Sequence, residues 1–314
     1  MLTLLLVRYL NNYDVPNERS SHTRITPRGG GMAIIVAFLL GIFMMYLSGA
    51  KVPLDTSLPG FLAAVFLIAM LSLYDDFRRV SFKIKLLGFT LAMMVAMLSG
   101  SVIEPMYGWW VYPLTLLWMM GLTNACNFMD GMDGLVAGTA VIVALFFAFI
   151  AFGQGSHFID LASLALAAAS LGFLMYNWSP ARIFMGDVGS TFLGFTFAAM
   201  AVYAARYDDA HISLLVMPLL LFHFIFDTGF TFLRRLRKGE HVFTAHRSHL
   251  YQLLNRLGYT HQQVALLYSA MAVGQGLAAV WMVNGPGRAY IYLPFLVFYL
   301  CYAAWVLHKA KAVV

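Results

Sequence analysis

The chain has 314 residues, of which 61% are hydrophobic and 11% are charged, and its mean hydropathy is +0.77. These values lie far from those of soluble globular proteins and indicate an integral membrane protein. The formal net charge is +6. A nucleic-acid-binding protein carries such a charge as a basic stripe on a soluble surface, whereas the basic residues here are confined to loops, so we expect no nucleic-acid partner.

Apolar runs of about the length that crosses a bilayer, roughly 20 residues, recur along nearly the whole chain. Ten such segments are predicted to be transmembrane helices, at about residues 32–50, 58–74, 86–103, 109–126, 135–153, 158–176, 189–206, 211–233, 262–283 and 289–308. Residues 1–10 are apolar but too short to span, and they are predicted to be a partial helix. No room is left for a soluble domain. We therefore predict one all-α polytopic membrane domain over residues 1–314.

The basic residues divide unequally between the two sides of this arrangement. All but three of the 20 Lys and Arg residues fall on one side, and the exceptions are Lys51, Arg206 and Arg288. Cytoplasmic loops are enriched in Lys and Arg, so this side is predicted to face the cytoplasm. Cys126 and Cys301 are isolated in the sequence, so neither a zinc site nor a disulfide framework is indicated.

The segment 127–134, with the sequence NFMDGMDG, is the least membrane-like part of the chain. If it is helical, Asn127, Asp130 and Asp133 recur at every third position and lie on one face. Oxygen ligands grouped in this way suit a hard divalent cation such as Mg2+. The alternative is a polar, glycine-rich loop between two membrane helices.

Acidic residues mark three further places on the predicted cytoplasmic side. Asp75 and Asp76 end one span, where adjacent carboxylates repel each other unless a cation or a basic partner is near; a charge cluster that sets topology is the alternative. Asp187 begins another span, where it either caps the helix or binds a metal. Asp227 lies about two turns inside a span, and an acid at that depth is a functional candidate.

A basic run at 234–238 (RRLRK) precedes the sequence HRSH at 246–249. The basic run is explained by topology and by attraction to lipid headgroups. The His and Arg group suits the binding of a polyphosphate. Together these clusters place carboxylates, cations and a flexible glycine-rich segment on one membrane face, which fits chemistry on a phosphorylated substrate at the cytoplasmic surface.

These motifs resemble those of the polyprenyl-phosphate N-acetylhexosamine-1-phosphate transferases. The resemblance covers nearly the whole chain, through the motifs VPNERSSH (15–22), TPRGGG (26–31), DD (75–76), NFMDGMDG (127–134) and FMGDVGS (184–190). Members of this family move a sugar 1-phosphate from a UDP-sugar to undecaprenyl phosphate with Mg2+ and release UMP. The chain looks more like the O-antigen-initiating branch, since its last motif lacks the three consecutive histidines of the pentapeptide transferases.

The resemblance implies a role for each candidate side chain. Asp187 is expected to be the metal ligand, for Mg2+ or for Mn2+ in its place. Asp75, Asp76 and Lys85 are expected to be catalytic, with Lys83 as the alternative to Lys85. The residues expected to bind substrate are Asn127, Asp130, Asp133, His246, Arg247 and His249. The expected partners are a UDP-N-acetyl sugar, undecaprenyl phosphate and membrane lipid, and a homodimer is left open.

The implied activity is that of a Mg2+-dependent UDP-sugar:undecaprenyl-phosphate sugar-1-phosphate transferase (EC 2.7.8.-), which starts O-antigen or related cell-envelope polysaccharide synthesis at the cytoplasmic face of the bacterial inner membrane. The active site is expected to come from the loops at about 11–31, 75–85, 126–134, 177–190 and 234–261. The alternatives are a phospho-N-acetylmuramoyl-pentapeptide transferase and, from another class, a transporter or lipid flippase. Carriers place acidic groups near the bilayer midplane, whereas most acids here lie at predicted helix ends.

Overall fold

The computed structural model describes residues 12–14, 25–50, 57–78, 80–103, 108–206, 211–242, 244, 246–285 and 288–311, with isolated positions at 3, 5 and 7. Within these residues the fold is all-α, apart from a short antiparallel pairing of β1 (Tyr13–Asp14) with β2 (Thr26–Pro27). The predicted fold class is confirmed. The predicted partial helix over residues 1–10 lies almost wholly outside the described residues, and the motif at 15–22 lies entirely outside them.

The described residues form twelve α-helices, numbered here in chain order: α1 (Gly31–Leu47), α2 (Ser57–Arg78), α3 (Phe82–Leu98), α4 (Val111–Met129), α5 (Leu135–Gln154), α6 (His157–Asn177), α7 (Gly186–Arg206), α8 (Val216–Leu220), α9 (Phe222–Arg237), α10 (Leu250–Arg256), α11 (His261–Asn284) and α12 (Tyr292–Lys311). Six of them, α2, α5, α6, α7, α11 and α12, are long and apolar enough to cross a membrane. The protein is therefore a multi-pass membrane protein. The predicted number of about ten spans is not confirmed.

Helix α7 forms the centre of the bundle. It packs against α2 and α4 and also contacts α1, while α5 packs against α6 and α11 in a neighbouring layer. Of the spanning window of α7, 89% is buried, against 28% for the peripheral α12. Polar residues at the ends of the surrounding helices meet at the first turn of α7. We therefore expect the functional site at this turn.

A contact between backbones joins the start of α1 to the start of α7. The amide N–H groups of Gly30 and Gly31 donate to the carbonyls of Phe184 and Met185, each at 2.9 Å. A Cβ atom on Gly31 would lie 2.2 Å from the Cα of Gly189. No side chain fits into that distance. Glycine at both positions is therefore what allows the two helix starts to touch.

The predicted span 211–233 is divided into two helices, α8 and α9. A break in a helix among apolar neighbours leaves backbone groups without partners, which is costly in a membrane. Gln275 of α11 satisfies them: with its amide oriented to pair donors with acceptors, Nε2 donates to the Leu220 carbonyl and Oε1 accepts from the His223 amide, both at 3.1 Å. The prediction of one continuous span was wrong because a side chain from a distant helix replaces the missing helical hydrogen bonds.

We predict that Gly31→Ala destabilises the protein. The added methyl group meets the backbone of Gly189, which cannot rotate away, and overpacking of this kind costs about 1–3 kcal/mol. The thermal midpoint of the purified protein in detergent should therefore fall. Gly172→Ala is the matched control, because that helical position has nothing within 4 Å of a built Cβ. An unchanged midpoint for Gly31→Ala would contradict the prediction.

Candidate active site

Carboxylates and basic side chains form an acid cluster where α2 ends and where α3 and α7 begin. Asp187 lies at its centre: its Oδ1 accepts from the Arg28 guanidinium at 2.6 Å, and its Oδ2 accepts from the Lys85 ammonium at 2.8 Å. Arg28 also pairs with Asp76 at 3.0 Å, and Lys85 pairs with Asp75 at 2.7 Å. The structure thus brings the predicted catalytic residues and the predicted metal ligand together.

Asp76 caps a helix that lies far along the chain. Its Oδ1 accepts from the Asp187 amide at 3.0 Å and its Oδ2 from the Val188 amide at 3.3 Å. The first N–H groups of a helix have no partner within the helix and carry partial positive charge, so they stabilise a carboxylate. Gly186, with φ +75°, would place a Cβ 2.6 Å from Asp76 Oδ2. The capping hydrogen bonds of α7 therefore come from Asp76.

Arg28 belongs to the acid cluster, although the sequence alone does not single it out. Burial lowers its pKa, but the attraction of the nearby carboxylates, led by Asp187 and Asp76, outweighs that effect and leaves the pKa raised. The guanidinium therefore stays charged. A signal was available in the sequence: an arginine directly before the glycines at 29–31, which lets the backbone approach that of Phe184.

The segment 127–134 is not one helix. Helix α4 ends at Met129, and Asp130 and Asp133 lie in the turn that precedes α5. Gly134 closes this turn with φ +74°, in the left-handed region that favours glycine. The single helix face for Asn127, Asp130 and Asp133, which required a helical segment, is therefore not formed, and the alternative of a glycine-rich turn between two helices is the one observed.

Asn127 and Asp133 are each bound to other parts of the chain. Asn127 Nδ2 donates to Ser190 Oγ in α7 at 3.1 Å. Asp133 Oδ2 accepts from the Ala181 amide at 3.1 Å, and its Oδ1 lies 3.3 Å from His261 Nδ1. Burial acts to raise the pKa of Asp133, but the hydrogen bond and charge of His261 outweigh it and lower the pKa. The roles of both residues in substrate binding stay predictions.

Asp130 lies near the acid cluster, just after α4. Burial raises the pKa of its carboxyl group to about 8; the attraction of Arg28 opposes this rise, and the charges of Asp187 and Asp76 add to it. Asp130 is therefore largely protonated at neutral pH when no further cation is near. A carboxyl group in this state gains a charge, and with it the ability to bind a cation, as the pH rises or as a cation arrives.

The donor chemistry of the cluster fits a hard divalent cation. When fully ionised, Asp130 and the three carboxylates of the cluster, Asp75, Asp76 and Asp187, carry four negative charges. The cationic side chains paired with the cluster among the described residues are Arg28 and Lys85, so two negative charges are in excess. Among the described residues no three His, Cys, Asp or Glu side chains converge as a preformed metal site. Mg2+ commonly takes one or two carboxylates and completes its shell with water and substrate phosphates. Asp187, the shared partner of both cations, stays the predicted ligand.

The histidine group, defined as His246, Arg247 and His249, precedes α10. The rings of His246 and His249 are 4.9 Å apart between centroids, and the Phe128 ring stacks on His249 at 6.0 Å. Burial, together with the charges of His249 and of nearby arginines, lowers the pKa of His246 to about 4. The imidazole of His246 is therefore neutral at pH 7. The contact with Phe128 places the group beside the segment 127–134.

Asp227 of α9 holds the histidine group in place. Its carboxylate, on a residue 1% exposed, accepts from the amides of Leu250 at 2.9 Å and Tyr251 at 3.1 Å. It also accepts from the Tyr268 hydroxyl at 2.7 Å and lies 3.3 Å from His249 Nδ1. The carboxylate oxygens of Asp227 are occupied by hydrogen bonds from fixed donors, so Asp227 has a structural role. This role argues against the transporter alternative, in which Asp227 would relay ions.

We predict that Asp130→Asn stabilises the protein increasingly as the pH rises. An unfolded Asp has a pKa of about 3.9. Because burial raises this pKa in the folded state, stability is lost as the pH rises toward about 8, and Asn removes that loss. In EDTA, the excess of the variant's thermal midpoint over that of the wild type should widen from pH 5 to pH 8.5. An excess of the midpoint that stays constant with pH would contradict the raised pKa of Asp130.

Glu240→Gln provides a control of the opposite kind. The hydrogen bond from Arg235 lowers the pKa of Glu240. A carboxylate with a lowered pKa gives its stabilisation in full above its unfolded pKa. The difference between Glu240→Gln and the wild type should therefore stay constant over the same pH range.

The chain is similar to known proteins over most of its length. Residues 58–205 match the model of glycosyl transferase family 4. A probable undecaprenyl-phosphate N-acetylglucosaminyl 1-phosphate transferase of Bacillus subtilis (strain 168) is 31% identical over 288 residues, covering 86% of this chain and 78% of the relative. A decaprenyl-phosphate N-acetylglucosaminephosphotransferase of Mycobacterium leprae (strain TN) is 30% identical, covering 84% of this chain and 75% of the relative.

A third relative comes from another branch. The phospho-N-acetylmuramoyl-pentapeptide-transferase of Halalkalibacterium halodurans is 34% identical over 202 residues, covering 58% of this chain and 62% of the relative. The family predicted from the motifs is confirmed by these similarities, whereas the O-antigen branch is not. The chain belongs to glycosyl transferase family 4, the family of the polyprenyl-phosphate N-acetylhexosamine-1-phosphate transferases.

Proposed function

We propose that this protein transfers an N-acetylhexosamine 1-phosphate from a UDP-sugar to undecaprenyl phosphate and releases UMP. The observation that carries the proposal is the acid cluster, which lies where membrane helices begin and end. A lipid phosphate held at the membrane surface meets a water-soluble nucleotide only at such helix ends. The polyprenyl-phosphate transferases among the relatives support the same reaction.

In the proposed reaction a phosphate oxygen of the lipid attacks the phosphorus that carries the sugar. A new P–O bond forms there, and the bond from that phosphorus to the oxygen of UMP breaks. The lipid phosphate is already ionised at neutral pH and needs no strong base, so positioning and charge neutralisation supply most of the catalysis. We propose that Lys85 binds a phosphate oxygen of a substrate. Asp75 orients the Lys85 ammonium group through their 2.7 Å ion pair.

Arg28 and Lys85 carry the second part of the proposal. Each is paired with Asp187, and each is a cation of the kind that binds phosphate oxygens. We infer that they exchange the Asp187 carboxylate for phosphate oxygens when the substrates bind. Mg2+ held by Asp187 would neutralise charge on the diphosphate and on the departing UMP. The histidine group and the segment 127–134 are assigned to the nucleotide sugar.

The names of the relatives guide the choice of donor. Two of them state transfer of N-acetylglucosamine phosphate, so UDP-N-acetylglucosamine is the first donor to test. We propose a role at the start of cell-envelope polysaccharide synthesis, with O-antigen as the case that the sequence motifs favour. The concentration of Lys and Arg on one side supports a site that faces the cytoplasm. Pentapeptide transfer is the second candidate, because a relative with that name is 34% identical.

The proposed function is tested by UMP release. Purified protein in detergent is incubated with undecaprenyl phosphate and, separately, with UDP-N-acetylglucosamine, other UDP-N-acetyl sugars and UDP-N-acetylmuramoyl-pentapeptide. We expect UMP only when lipid, Mg2+ and one N-acetylhexosamine donor are all present. EDTA should stop the release, and Mg2+ or Mn2+ should restore it. Release with the pentapeptide donor alone would establish the second candidate, and no release with any donor would overturn the proposal.

We predict that Asp187→Asn and Asp75→Asn each lower turnover by about 100-fold or more. Both changes remove charge that is needed for electrostatic stabilisation, and such losses cost about 10²–10³ in kcat. The thermal midpoint checks that each variant is folded. Asp160→Asn is the matched control, since this buried acid lies in the first turn of α6, at the end opposite the site. Turnover near that of the wild type in Asp187→Asn would contradict its role as metal ligand.

A further inference from the structure

A buried tyrosine joins the histidine group to the segment 127–134 by a hydrogen bond, beside the stacking of Phe128 on His249. Tyr251 lies in the first turn of α10 and is 0% exposed. Its hydroxyl donates to the carbonyl of Phe128 at 2.9 Å. That carbonyl is among the last of α4, where no further helical N–H is available, so the phenol satisfies an otherwise unpaired group. The histidine group is thereby connected to the start of the segment 127–134.

The chain leaves room for this phenol at Gly131. A Cβ atom on Gly131 would lie 2.3 Å from the hydroxyl oxygen of Tyr251 and 3.2 Å from its Cζ. Gly131 does not have a positive φ, so its backbone conformation would allow other residues. Glycine is required there because a side chain has no room beside the tyrosine. The turn that carries Asp130 and Asp133 therefore rests directly on the tyrosine ring.

Hydrogen bonds hold both the backbone and the hydroxyl of Tyr251. Its backbone amide donates to Asp227 Oδ2 at 3.1 Å, and Gln252 Nε2 donates to its hydroxyl oxygen at 3.2 Å. Burial raises the pKa of Tyr251, and the charges of Asp227 and Asp130 raise it further. The hydroxyl consequently keeps its proton and remains a donor. Tyr251 is a rigid spacer that is held at its backbone and at its tip.

We propose that Tyr251 is a positioning residue that sets the separation between the histidine group and the segment 127–134, with Gly131 as its complementary surface. The identity of the ligand between them, a nucleotide sugar, rests on the proposed function, whereas the spacer itself does not. Since both halves are assigned to that ligand, a shift of either half weakens its binding. We place the lipid phosphate at Lys85 in the acid cluster, away from Tyr251, so its binding is affected less.

The two single variants disturb the spacing in different ways. Tyr251→Phe keeps the ring but removes the hydrogen bond to the Phe128 carbonyl. If the full free energy of that bond, about 1.4 kcal/mol, is needed to hold the two halves in the binding geometry, the KM for the UDP-sugar rises about 10-fold. Gly131→Ala pushes a methyl group into the hydroxyl oxygen and should weaken binding at least as much. In the double variant the methyl group takes the space that the oxygen leaves. Gly131→Ala should then cost little in the Tyr251→Phe background.

The experiment is a double-mutant cycle with two readouts. Steady-state kinetics gives KM and kcat for UDP-N-acetylglucosamine and KM for undecaprenyl phosphate, and thermal unfolding without ligands gives the midpoint of each variant. We expect a raised KM for the UDP-sugar in both single variants, a smaller change in kcat and in the lipid KM, and a double variant no worse than Tyr251→Phe. Tyr290→Phe, at an exposed tyrosine just before α12 and outside the loops assigned to the site, is the matched control and should match the wild type.

The outcomes separate the spacer from the function. Additive effects of the two substitutions in both readouts would overturn the spacer, even if the wild type releases UMP as proposed. Equal losses in the KM of both substrates would also overturn it, because they would indicate a general loss of structure. If the wild type uses no UDP-sugar, the proposed function fails. The double-mutant cycle measured by thermal midpoints then still tests whether Tyr251 and Gly131 act together as a spacer.

Discussion

Charge balance at the start of α7 is the constraint on which the site depends. The carboxylates of Asp75, Asp76 and Asp187 lie close together in a place with little water, where each would be unstable alone. Arg28 and Lys85 each bridge two of these acids, and the first amides of α7 supply further positive charge. The same shortage of positive charge would favour the predicted divalent cation, and that cation would in turn offset the charge of a substrate phosphate.

A related rule governs the polar groups farther from the acid cluster. Gln275 pairs the backbone groups at the break between α8 and α9, and Asp227 pairs those at the start of α10. In both cases a buried side chain from one helix replaces the hydrogen bonds that another helix lacks. Asp227 also occupies the amides that would make the start of α10 attractive to an anion. At the histidine group, the proposed recognition of phosphate would therefore depend on side chains and not on these two amides.

The sequence was a good guide to the helices and to the composition of the site. Long apolar runs can only be helices in a membrane, and each predicted span overlaps a described helix. Acids at the ends of those runs identified Asp75, Asp76 and Asp187, and the family resemblance added Lys85; the structure joins all four. Their roles in catalysis and metal binding remain predictions.

Other features were not accessible to local patterns because they depend on contacts between distant segments. Arg28 gains its importance only through carboxylates that follow it far along the chain, and Gln275 looks like any polar residue until the break that it seals is known. Asp227 was a functional candidate by depth alone, whereas its partners make it an anchor. A shared ligand face at 127–134 required a continuous helix, whereas α4 ends at Met129, before Asp130 and Asp133.

The attachment of Arg28 to α7 has a consequence for how the protein is made. Arg28 and Asp187 are separated by 159 residues, so α1 leaves the ribosome long before its partner exists. Until α7 has been synthesised and inserted, the glycines at the start of α1 lack the backbone of Gly189 beside them, and Asp76 at the end of α2 lacks the two α7 amides that donate to it. Completion of the site is thus a late event in the synthesis and insertion of the chain.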